Sequence, residues 1–302
     1  MIICFDIGGS AIKGAIARSP SDIHPLERKA TPLHDFEAFV SVLRAVMNAA
    51  GGAPNRIALS VTGVVDPETR RTICANIPCI DGRLLASDLS ERLGLPVLIA
   101  NDADCFTLAE ATIGAGAGHR VVLGAIFGTG VGGGLVIDGR LINSDGGFAG
   151  EWGHGPAVSL MAGNPPVAIP HFVCGCGQKG CVDSVGGARG LERLHQTLHG
   201  ETLPSEMIIE RWLTGDKASA QSVDCLVDLV SSPLALTINI TGATVVPVGG
   251  GLANVEPLIF AIDRTVRQRI LRKTDRPLVV RGALRIEPGL IGAAILGLTG
   301  SI

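Results

Sequence analysis

Two apolar segments of this chain each run into a cluster of glycines and then into a second apolar segment. The first pair occupies residues 2–17, with glycines at 8–9, and the second occupies residues 121–137, with glycines concentrated in 128–134. This pattern predicts a strand, a tight glycine turn and a second strand. Because the two copies lie about one domain length apart, we expect duplicated α/β halves.

Segments with helical spacing separate the predicted strands, as is typical of layered α/β folds. Predicted helices cover residues 35–50, 84–93, 103–112, 204–214, 219–236, 257–272 and 290–298, and further predicted strands cover 57–61, 97–100, 245–248 and 278–281. A length of 302 residues suits about two domains.

Composition excludes several classes of protein. A formal net charge of −3 gives no basic surface for nucleic acid or for an anionic membrane. Eight cysteines in so long a chain are not a secreted disulfide scaffold, and residues 1–6 lack the basic start of a signal peptide, so we expect a cytoplasmic protein. The uncharged segment 229–255 is interrupted by prolines and glycines, which predicts core elements rather than a membrane span.

A cluster of cysteines predicts a metal site. Cys174, Cys176 and Cys181 fall within eight residues, and His154 lies twenty positions upstream of the first. Three sulfur ligands and one imidazole complete the tetrahedral set of a structural zinc site and leave no open position for activated water. Buried or disulfide-bonded cysteines are the alternative, which the tight clustering disfavours. The other cysteines are predicted to be buried thiols: Cys4, Cys74, Cys79, Cys105 and Cys225.

The first glycine turn follows Asp6. Glycines allow backbone N–H groups to approach phosphate oxygens closely, and an aspartate at the end of a buried strand suits hydrated Mg²⁺. A plain β-hairpin with a capping aspartate explains the same residues, so both interpretations stay open on this motif alone.

Two later glycine clusters carry similar alternatives. Gly128, Thr129 and Gly130 match neither a Walker loop nor a dinucleotide fingerprint, and a hairpin that clamps phosphate fits better than a mobile flap. Residues 249–251 are compatible either with a nucleotide held against the backbone or with a tight strand-to-helix turn.

Polar residues near these clusters suggest chemistry. Asn101 and Asp102 open a predicted helix, where an N-cap is the ordinary role for such residues. Asp102 could instead act as a general base that accepts the proton of an alcohol attacking a phosphate, with Asp104 as a weaker candidate. Glu151 and His154, with Asp183 two residues beyond Cys181, provide partners for hydroxyl groups.

In this order and spacing, the motifs resemble the ROK family of sugar kinases and repressors over essentially the whole chain. The resemblance rests on residues 6–9, 101–103, 128–130, 151–154, 174–181 and 249–251. It implies the two-domain, actin-like (ribonuclease H-like) α/β ATPase fold, with sugar and ATP in an interdomain cleft. The implied domains are residues 1–117 plus 289–302, and residues 118–288.

The resemblance also implies roles for individual residues. It implies Asp102 as catalytic base and sugar contacts from Gly63, Asn76, Asn101, Asp102, Glu151, His154 and Asp183. It implies contacts to ATP and Mg²⁺ from Asp6, Gly8, Gly9, Ser10, Lys13, Gly128, Thr129, Gly130, Gly249, Gly250 and Gly251. Structural Zn²⁺ is implied on His154, Cys174, Cys176 and Cys181. Family members often form homodimers, which we carry over as an expectation.

Within the family, the chain is most similar to kinases that phosphorylate the 6-hydroxyl of N-acetylglucosamine. Three departures concern the sugar: Asp183 stands where the family usually has Glu, Thr62 precedes Gly63 where Pro is usual, and Ala100 replaces a common acid. Kinases of glucose, fructose or N-acetylmannosamine are therefore alternatives. A sugar-responsive regulator or a non-catalytic sugar-binding protein is the alternative of a different class, disfavoured because little chain precedes Asp6 for a DNA-binding segment.

Overall fold

The computed structural model describes residues 1–300. Backbone contacts divide the chain into two compact units. The first unit contains Met1–Ala117, Gly134–Ala149 and the segment that begins at Leu284, and the second contains Gly118–Gly133 and Gly150–Ala283. Relative to the expected division, residues 134–149 cluster with the first unit, and the C-terminal segment returns to it at residue 284 rather than 289.

Helices and strands are interspersed along the described chain. The helices are α1 (Phe36–Ala50), α2 (Leu85–Leu93), α3 (Asp102–Ile113), α4 (Asp183–Gly186), α5 (Ala188–His199), α6 (Ser205–Leu213), α7 (Lys217–Thr241), α8 (Glu256–Arg269) and α9 (Pro288–Thr299), with short 3₁₀ helices at Pro78–Ile80 and Gly251–Asn254. The strands are β1 (Ile2–Ile7), β2 (Ala11–Ser19), β3 (Asp22–Pro25), β4 (Lys29–Ala30), β5 (Ile57–Val61), β6 (Val64–Val65), β7 (Thr72–Ile73), β8 (Val97–Asn101), β9 (Val121–Phe127), β10 (Val131–Ile137), β11 (Arg140–Leu141), β12 (Met161–Ala162), β13 (Val167–Ala168), β14 (Val246–Gly249) and β15 (Val279–Arg281).

The first unit is built on a sheet in the order β3-β2-β1-β5-β8, with β4 also paired to β2. Strands β1 and β2 form the predicted antiparallel hairpin, while β1, β5 and β8 run parallel. Alternate residues of β1 face opposite sides of the sheet. Phe5 packs with Phe39 and Leu43 of α1 in a fully buried core, whereas Ile2 on the other side contacts α9 at Gly297.

Helix α9 packs directly on α3. A Cβ added at Gly292 of α9 would overlap the backbone carbonyl of Cys105 in α3, so only glycine allows this close approach. Both helices are therefore held tightly on the sheet face opposite α1.

Buried polar groups of α3 explain why segments far from it in the sequence belong to the first unit. Asp104 is 3% exposed and accepts a hydrogen bond from Asn143 Nδ2 at 3.0 Å. Glu110 is fully buried and accepts the amides of Ala115 at 2.7 Å and Leu284 at 2.8 Å. Because buried carboxylates need such partners, these contacts tie residues 134–149 and the C-terminal segment to α3.

The second unit contains parallel strands β9, β14 and β15, flanked in the sheet by β10. Helix α7 packs against α5, α6 and α8. Among the helices within residues 1–300, only α7 is long and apolar enough to cross a membrane, judged by length and composition alone. Of its most apolar 18-residue stretch, 61% is buried inside the protein. A buried core helix fits that description, as the sequence predicts for this region.

Several elements differ from their predictions. Strand β10 begins at Val131, so the glycines at 132–134 lie within a strand rather than in a loop. Helix α7 begins at Lys217 and ends at Thr241, so it is longer at both ends than the predicted 219–236; as predicted, it runs through Pro233, which is buried, and packing outweighs the one lost N–H. Helices α4 and α5 were not predicted: α4 has only four residues, and α5 was missed although Leu191, Leu194 and Leu198 have helical spacing.

Candidate functional site

The carboxyl ends of β1, β5 and β8 meet at one edge of the first sheet. In the strand register, Ile7 lies beside Val61, and Val61 lies beside Asn101. The segments that follow the three strands therefore lie at the same edge: they begin with Gly8, with Thr62 and Gly63, and with Asp102. Ligands of open α/β sheets bind outside this edge, which makes it the candidate site of the first unit.

Asp6 lies next to this edge on β1. Its Oδ1 accepts the Ser60 hydroxyl at 2.8 Å, and its Oδ2 lies 3.7 Å from Lys13 Nζ. Burial raises the pKa of the Asp6 carboxyl, while Ser60 and Lys13 act in the opposite direction. Lys13 also forms a 2.7 Å ion pair with Glu287. Asp6 thus belongs to a small charged network rather than acting only as a hairpin cap.

Gly8, Gly9 and Ser10 form the turn between β1 and β2. The Gly8 amide donates to Ala11 O at 3.0 Å, and Thr31 Oγ1 donates to Gly8 O at 2.6 Å. Neither glycine has positive φ, and a Cβ at either position would make only ordinary contacts. Backbone conformation and packing therefore do not require glycine here. The backbone carbonyl of Asn76, an exposed residue, lies beside Gly9.

The N-cap of α3 is Asn101, whose Oδ1 accepts the Ala103 amide at 2.8 Å. Its Nδ2 donates to Gly63 O at 2.8 Å, which joins two predicted site residues. Gly63 has φ of 141°, and a Cβ there would overlap the backbone of Ile73, so glycine is required. Asp102 is the first helical residue, half-buried, and also accepts the Ala103 amide at 2.9 Å. The capping role therefore falls mainly to Asn101.

The turn between β9 and β10 contains Gly128, Thr129 and Gly130. Gly128 N donates to Gly130 O at 3.0 Å, and the Thr129 side chain is exposed. Asp183 Oδ1 accepts the Val131 amide at 2.8 Å, and a Cβ at Gly130 would overlap that oxygen. Asp183 thus contacts a turn that lies some fifty residues earlier in the sequence.

Gly249, Gly250 and Gly251 link β14 to a 3₁₀ helix. Gly250 has φ of 88°, and a Cβ there would overlap the backbone of Phe127. Nothing crowds the Cβ position of Gly251. The turn therefore requires glycine at position 250 for structural reasons. The open space at Gly251 is where a ligand could approach.

His154 and Glu151 lie on one irregular segment of the second unit. His154 Nδ1 lies 3.6 Å from Cys174 Sγ, while its Nε2 lies 3.8 Å from Glu151 Oε2. Burial raises the pKa of the Glu151 carboxyl, and His154 acts against this effect. One imidazole nitrogen thus faces the cysteines and the other faces a carboxylate.

The predicted metal ligands form one cluster. The donor atoms of His154, Cys174, Cys176 and Cys181 all lie within 4.8 Å of one another. The Cys176 and Cys181 sulfurs are 3.7 Å apart, which is the edge of a tetrahedron with metal–sulfur bonds of about 2.3 Å. The Gln178 amide lowers the pKa of the exposed Cys176 thiol, so a thiolate forms readily. The residues present therefore fit a structural zinc ion.

The tight turns expected around the cysteines are also present. Gly177 and Gly180 have φ of 87° and 80°, and the Gly177 amide donates to Cys174 O at 3.0 Å. Of the remaining cysteines, Cys79 is only half-buried, while Cys4, Cys74, Cys105 and Cys225 are buried as predicted.

Two partners of the candidate site were not predicted. Ser60 holds Asp6, and Glu287 holds Lys13. Ser60 could have been noticed as a hydroxyl within the otherwise apolar strand β5. Glu287 lies more than 270 positions from Lys13, and no local pattern links the two.

Comparison with known proteins identifies the family. A model of the ROK family matches residues 2–299. The chain belongs to the ROK family. N-acetyl-D-glucosamine kinase of Pasteurella multocida (strain Pm70) is 33% identical over 302 residues, covering 98% of each chain. N-acetylgalactosamine kinase AgaK of Shewanella sp. (strain ANA-3) is 32% identical over 295 residues, covering 97% of this chain and 95% of that protein.

Solved structures of ROK proteins confirm the actin-like ATPase fold. A ROK hexokinase from Thermus thermophilus is similar with a TM-score of 0.83 and 27% identity, covering 98% of this chain and 97% of that one. A ROK family glucokinase from Streptomyces griseus, solved with glucose and AMPPNP, has a TM-score of 0.75 and 27% identity, with 99% of each chain covered.

Proposed function

We propose that this protein transfers the terminal phosphoryl group of ATP to the 6-hydroxyl of an N-acetylhexosamine, first of all N-acetyl-D-glucosamine. The observation that carries the proposal is the strand register that brings the ends of β1, β5 and β8 together at the carboxyl edge of one sheet, where Gly8, Gly63 and Asp102 follow those strands. The full-length similarity to N-acetyl-D-glucosamine kinases supports the choice of sugar.

The glycine turns are proposed to bind ATP. Since neither conformation nor packing requires glycine at 8 and 9, the missing side chains leave space for phosphate oxygens to approach this turn and Ser10, while the Gly8 amide itself donates to Ala11 O. Gly128, Thr129 and Gly130 are proposed to bind phosphate in the second unit, and Gly249–Gly251 to lie against the nucleoside. Asp6 and Lys13 provide a carboxylate and an ammonium; Mg²⁺ near Asp6 would neutralise phosphate charge when bound.

Asp102 is proposed as the general base. Asp102 is half-buried at the first position of α3, where its Oδ1 also accepts the Ala103 amide at 2.9 Å. Its carboxylate is proposed to accept the proton of the attacking 6-hydroxyl, and the reaction otherwise requires positioning and charge neutralisation. In the first unit, Asn101 is proposed to bind a sugar hydroxyl, with Gly63, which accepts its Nδ2 hydrogen bond, and Asn76 as further sugar contacts. In the second unit, Glu151 and His154 are proposed to bind sugar hydroxyls. Asp183 was predicted with this group, and its Oδ1 accepts the Val131 amide.

The Cys₃His cluster is proposed to hold a structural zinc ion. Its four ligands complete a tetrahedron, so the ion would shape the segment that carries Glu151 and His154 rather than act on the substrate. A cytoplasmic location and a homodimeric state stay predictions.

N-acetyl-D-galactosamine is the alternative acceptor, because the similarity to the Shewanella kinase is nearly as high. The two sugars differ in the orientation of one hydroxyl, which hydrogen-bonding side chains can distinguish.

A sugar panel tests the proposal. ADP formation with MgATP is measured with N-acetylglucosamine, N-acetylgalactosamine, N-acetylmannosamine, glucose and fructose. We expect the highest kcat/KM with N-acetylglucosamine, and no ADP formation above background with its 6-deoxy analogue, which lacks the accepting hydroxyl. If none of these sugars stimulates ATP turnover, the kinase proposal fails and a non-catalytic sugar-binding protein is favoured.

A further inference from the structure

Asp183 joins the cysteine cluster to the turn at residues 128–130. Its Oδ1 accepts the Val131 amide at 2.8 Å, immediately after that turn. Gly130 packs so closely on the same oxygen that a Cβ would overlap it. The carboxylate is therefore committed to the turn, which a sugar contact would not require.

The segment that follows Asp183 holds the same turn at two further points. The Ala188 amide, at the start of α5, donates to Gly128 O at 2.8 Å, and the Arg189 amide donates to Thr129 O at 3.3 Å. Gly187 lies so close to the turn that a Cβ would overlap Thr129 O. Residues 183–189 thus contact every residue of the turn.

Asp183 is fixed from its other side by neighbours of the metal ligands. Its amide donates to Gly153 O at 2.9 Å, directly before His154. Cys174 Sγ lies 3.4 Å from Asp183 Oδ2, a contact that loses its hydrogen bond once zinc converts Cys174 to a thiolate. The link that remains with zinc bound is the backbone: the bond to Gly153 O, and Cys181, which precedes Asp183 by two residues. Order in the cysteine cluster therefore fixes the position of the carboxylate.

The length of the side chain fits this role. Glutamate, the residue expected here from the family resemblance, carries its carboxylate one methylene further from the backbone. With Gly130 already in close contact with Asp183 Oδ1, that extra reach has no room unless the turn moves. Aspartate at this position therefore matches the present geometry of residues 128–131.

We propose that Asp183 is a positioning residue: it holds the turn at residues 128–131 in one conformation and couples that conformation to the order of the Cys₃His cluster. The proposal deepens the proposed kinase function, on which the assignment of this turn to phosphate binding rests.

The test compares Asp183→Ala, Asp183→Asn and Asp183→Glu in the zinc-loaded full chain. Amide hydrogen exchange over residues 126–134 reports on the turn without any need for activity. The Kd of MgAMPPNP and the Kd of N-acetylglucosamine, each measured by calorimetry alone, separate the two ligands. Asp216→Ala, which removes the N-cap of α7 in the same unit, is the matched control.

For Asp183→Ala we expect exchange of the Val131 amide to rise at least about fivefold and the nucleotide Kd to rise about tenfold, the loss expected for one hydrogen bond to a charged group. The sugar Kd should change less than about twofold. Asp183→Asn keeps an acceptor and should restore most of the nucleotide affinity, while Asp183→Glu should resemble Asp183→Ala. Removal of zinc by a chelator should increase exchange over the same residues.

Two outcomes would overturn the proposal. If the sugar Kd rises while amide exchange and the nucleotide Kd stay unchanged, Asp183 is a sugar contact. If amide exchange, the nucleotide Kd and the sugar Kd all stay unchanged, Asp183 has no positioning role. If Asp183→Ala does not fold, the contrast between the Asn and Glu variants decides. Absence of sugar-stimulated turnover would refute the kinase proposal alone, because exchange and nucleotide binding remain measurable.

Discussion

At the scale of single residues, neighbouring groups distinguish the carboxylates that the sequence presents together. Asp104 is 3% exposed and accepts a hydrogen bond from the side-chain amide of Asn143, which makes it a structural residue of α3. Asp102, two positions earlier, lies half-buried at the carboxyl end of β8. The preference for Asp102 over Asp104 as the candidate base therefore agrees with burial, which sequence spacing alone could not establish.

Replacement of one cysteine tests the metal centre. Cys176→Ser removes an exposed thiol of the cluster, and we expect zinc content to fall well below one ion per chain because a serine hydroxyl is a poor zinc ligand. Metal analysis after dialysis measures the content. Cys79→Ser, which alters a half-buried thiol outside the cluster, should keep its zinc. Equal zinc content in both variants would contradict the ligand assignment.

At the scale of elements, the sequence predicts those whose signals are local. Helix α1 begins after the N-cap Asp35 and ends at Gly51, within one residue of the prediction. The β1–β2 hairpin likewise follows from alternation and glycine. Strand β10 was predicted too short because glycines at 132–134 read as a loop, whereas sheet pairing and contacts such as Gly134 against Thr107 require them inside a strand.

The candidate site shows the same limit. Asn101, Gly63 and Asp102 could be predicted together because strand ends meet at one sheet edge. The contact of Asp183 with Val131 could not, since the partners lie 52 positions apart and no local pattern links them. Long-range side-chain contacts depend on packing that a single sequence does not display.

Helix α5 carries two neighbouring histidines, one fully buried and one half-buried, that predict acid sensitivity. His195 is fully buried, and its ring lies 4.9 Å from that of His199. Burial, followed by the nearby His195, lowers the pKa of His199 in the folded state, although Asp216 and Glu201 act in the opposite direction. Since the unfolded pKa is about 6.5, this group contributes stability above that pH, and the contribution is lost as pH falls below it.

Urea unfolding between pH 5 and 8 measures this contribution. We expect the free energy of unfolding of the wild type to fall more steeply below pH 6.5 than that of His199→Leu, which cannot bind the proton. His34→Gln, at an exposed histidine, should keep the wild-type slope. Identical slopes for the wild type and His199→Leu would show that this pair does not contribute to acid sensitivity.

At the scale of the whole molecule, the composition of the two units follows from buried polar contacts. The predicted division placed residues 134–149 in the second unit, whereas Asn143 bonds to Asp104 of α3 and Leu284 bonds to Glu110 of the same helix. A prediction from sequence assigns neighbouring residues to the same domain. Nothing in the composition of residues 134–149 or of the C-terminal segment shows that they return to α3. Family resemblance, by contrast, correctly predicted the fold of the entire chain.

The most direct test of the central claim is the turnover of Asp102→Asn with MgATP and N-acetylglucosamine, measured beside its sugar affinity. Asparagine keeps the shape and can still accept the Ala103 amide, but it cannot take the proton of the 6-hydroxyl. We predict a fall in kcat of about 100-fold or more, with the sugar Kd changed by less than about threefold, while Asp88→Asn in the first turn of α2 keeps wild-type turnover. An undiminished kcat for Asp102→Asn would show that this residue only begins helix α3 and would contradict the assignment of the base.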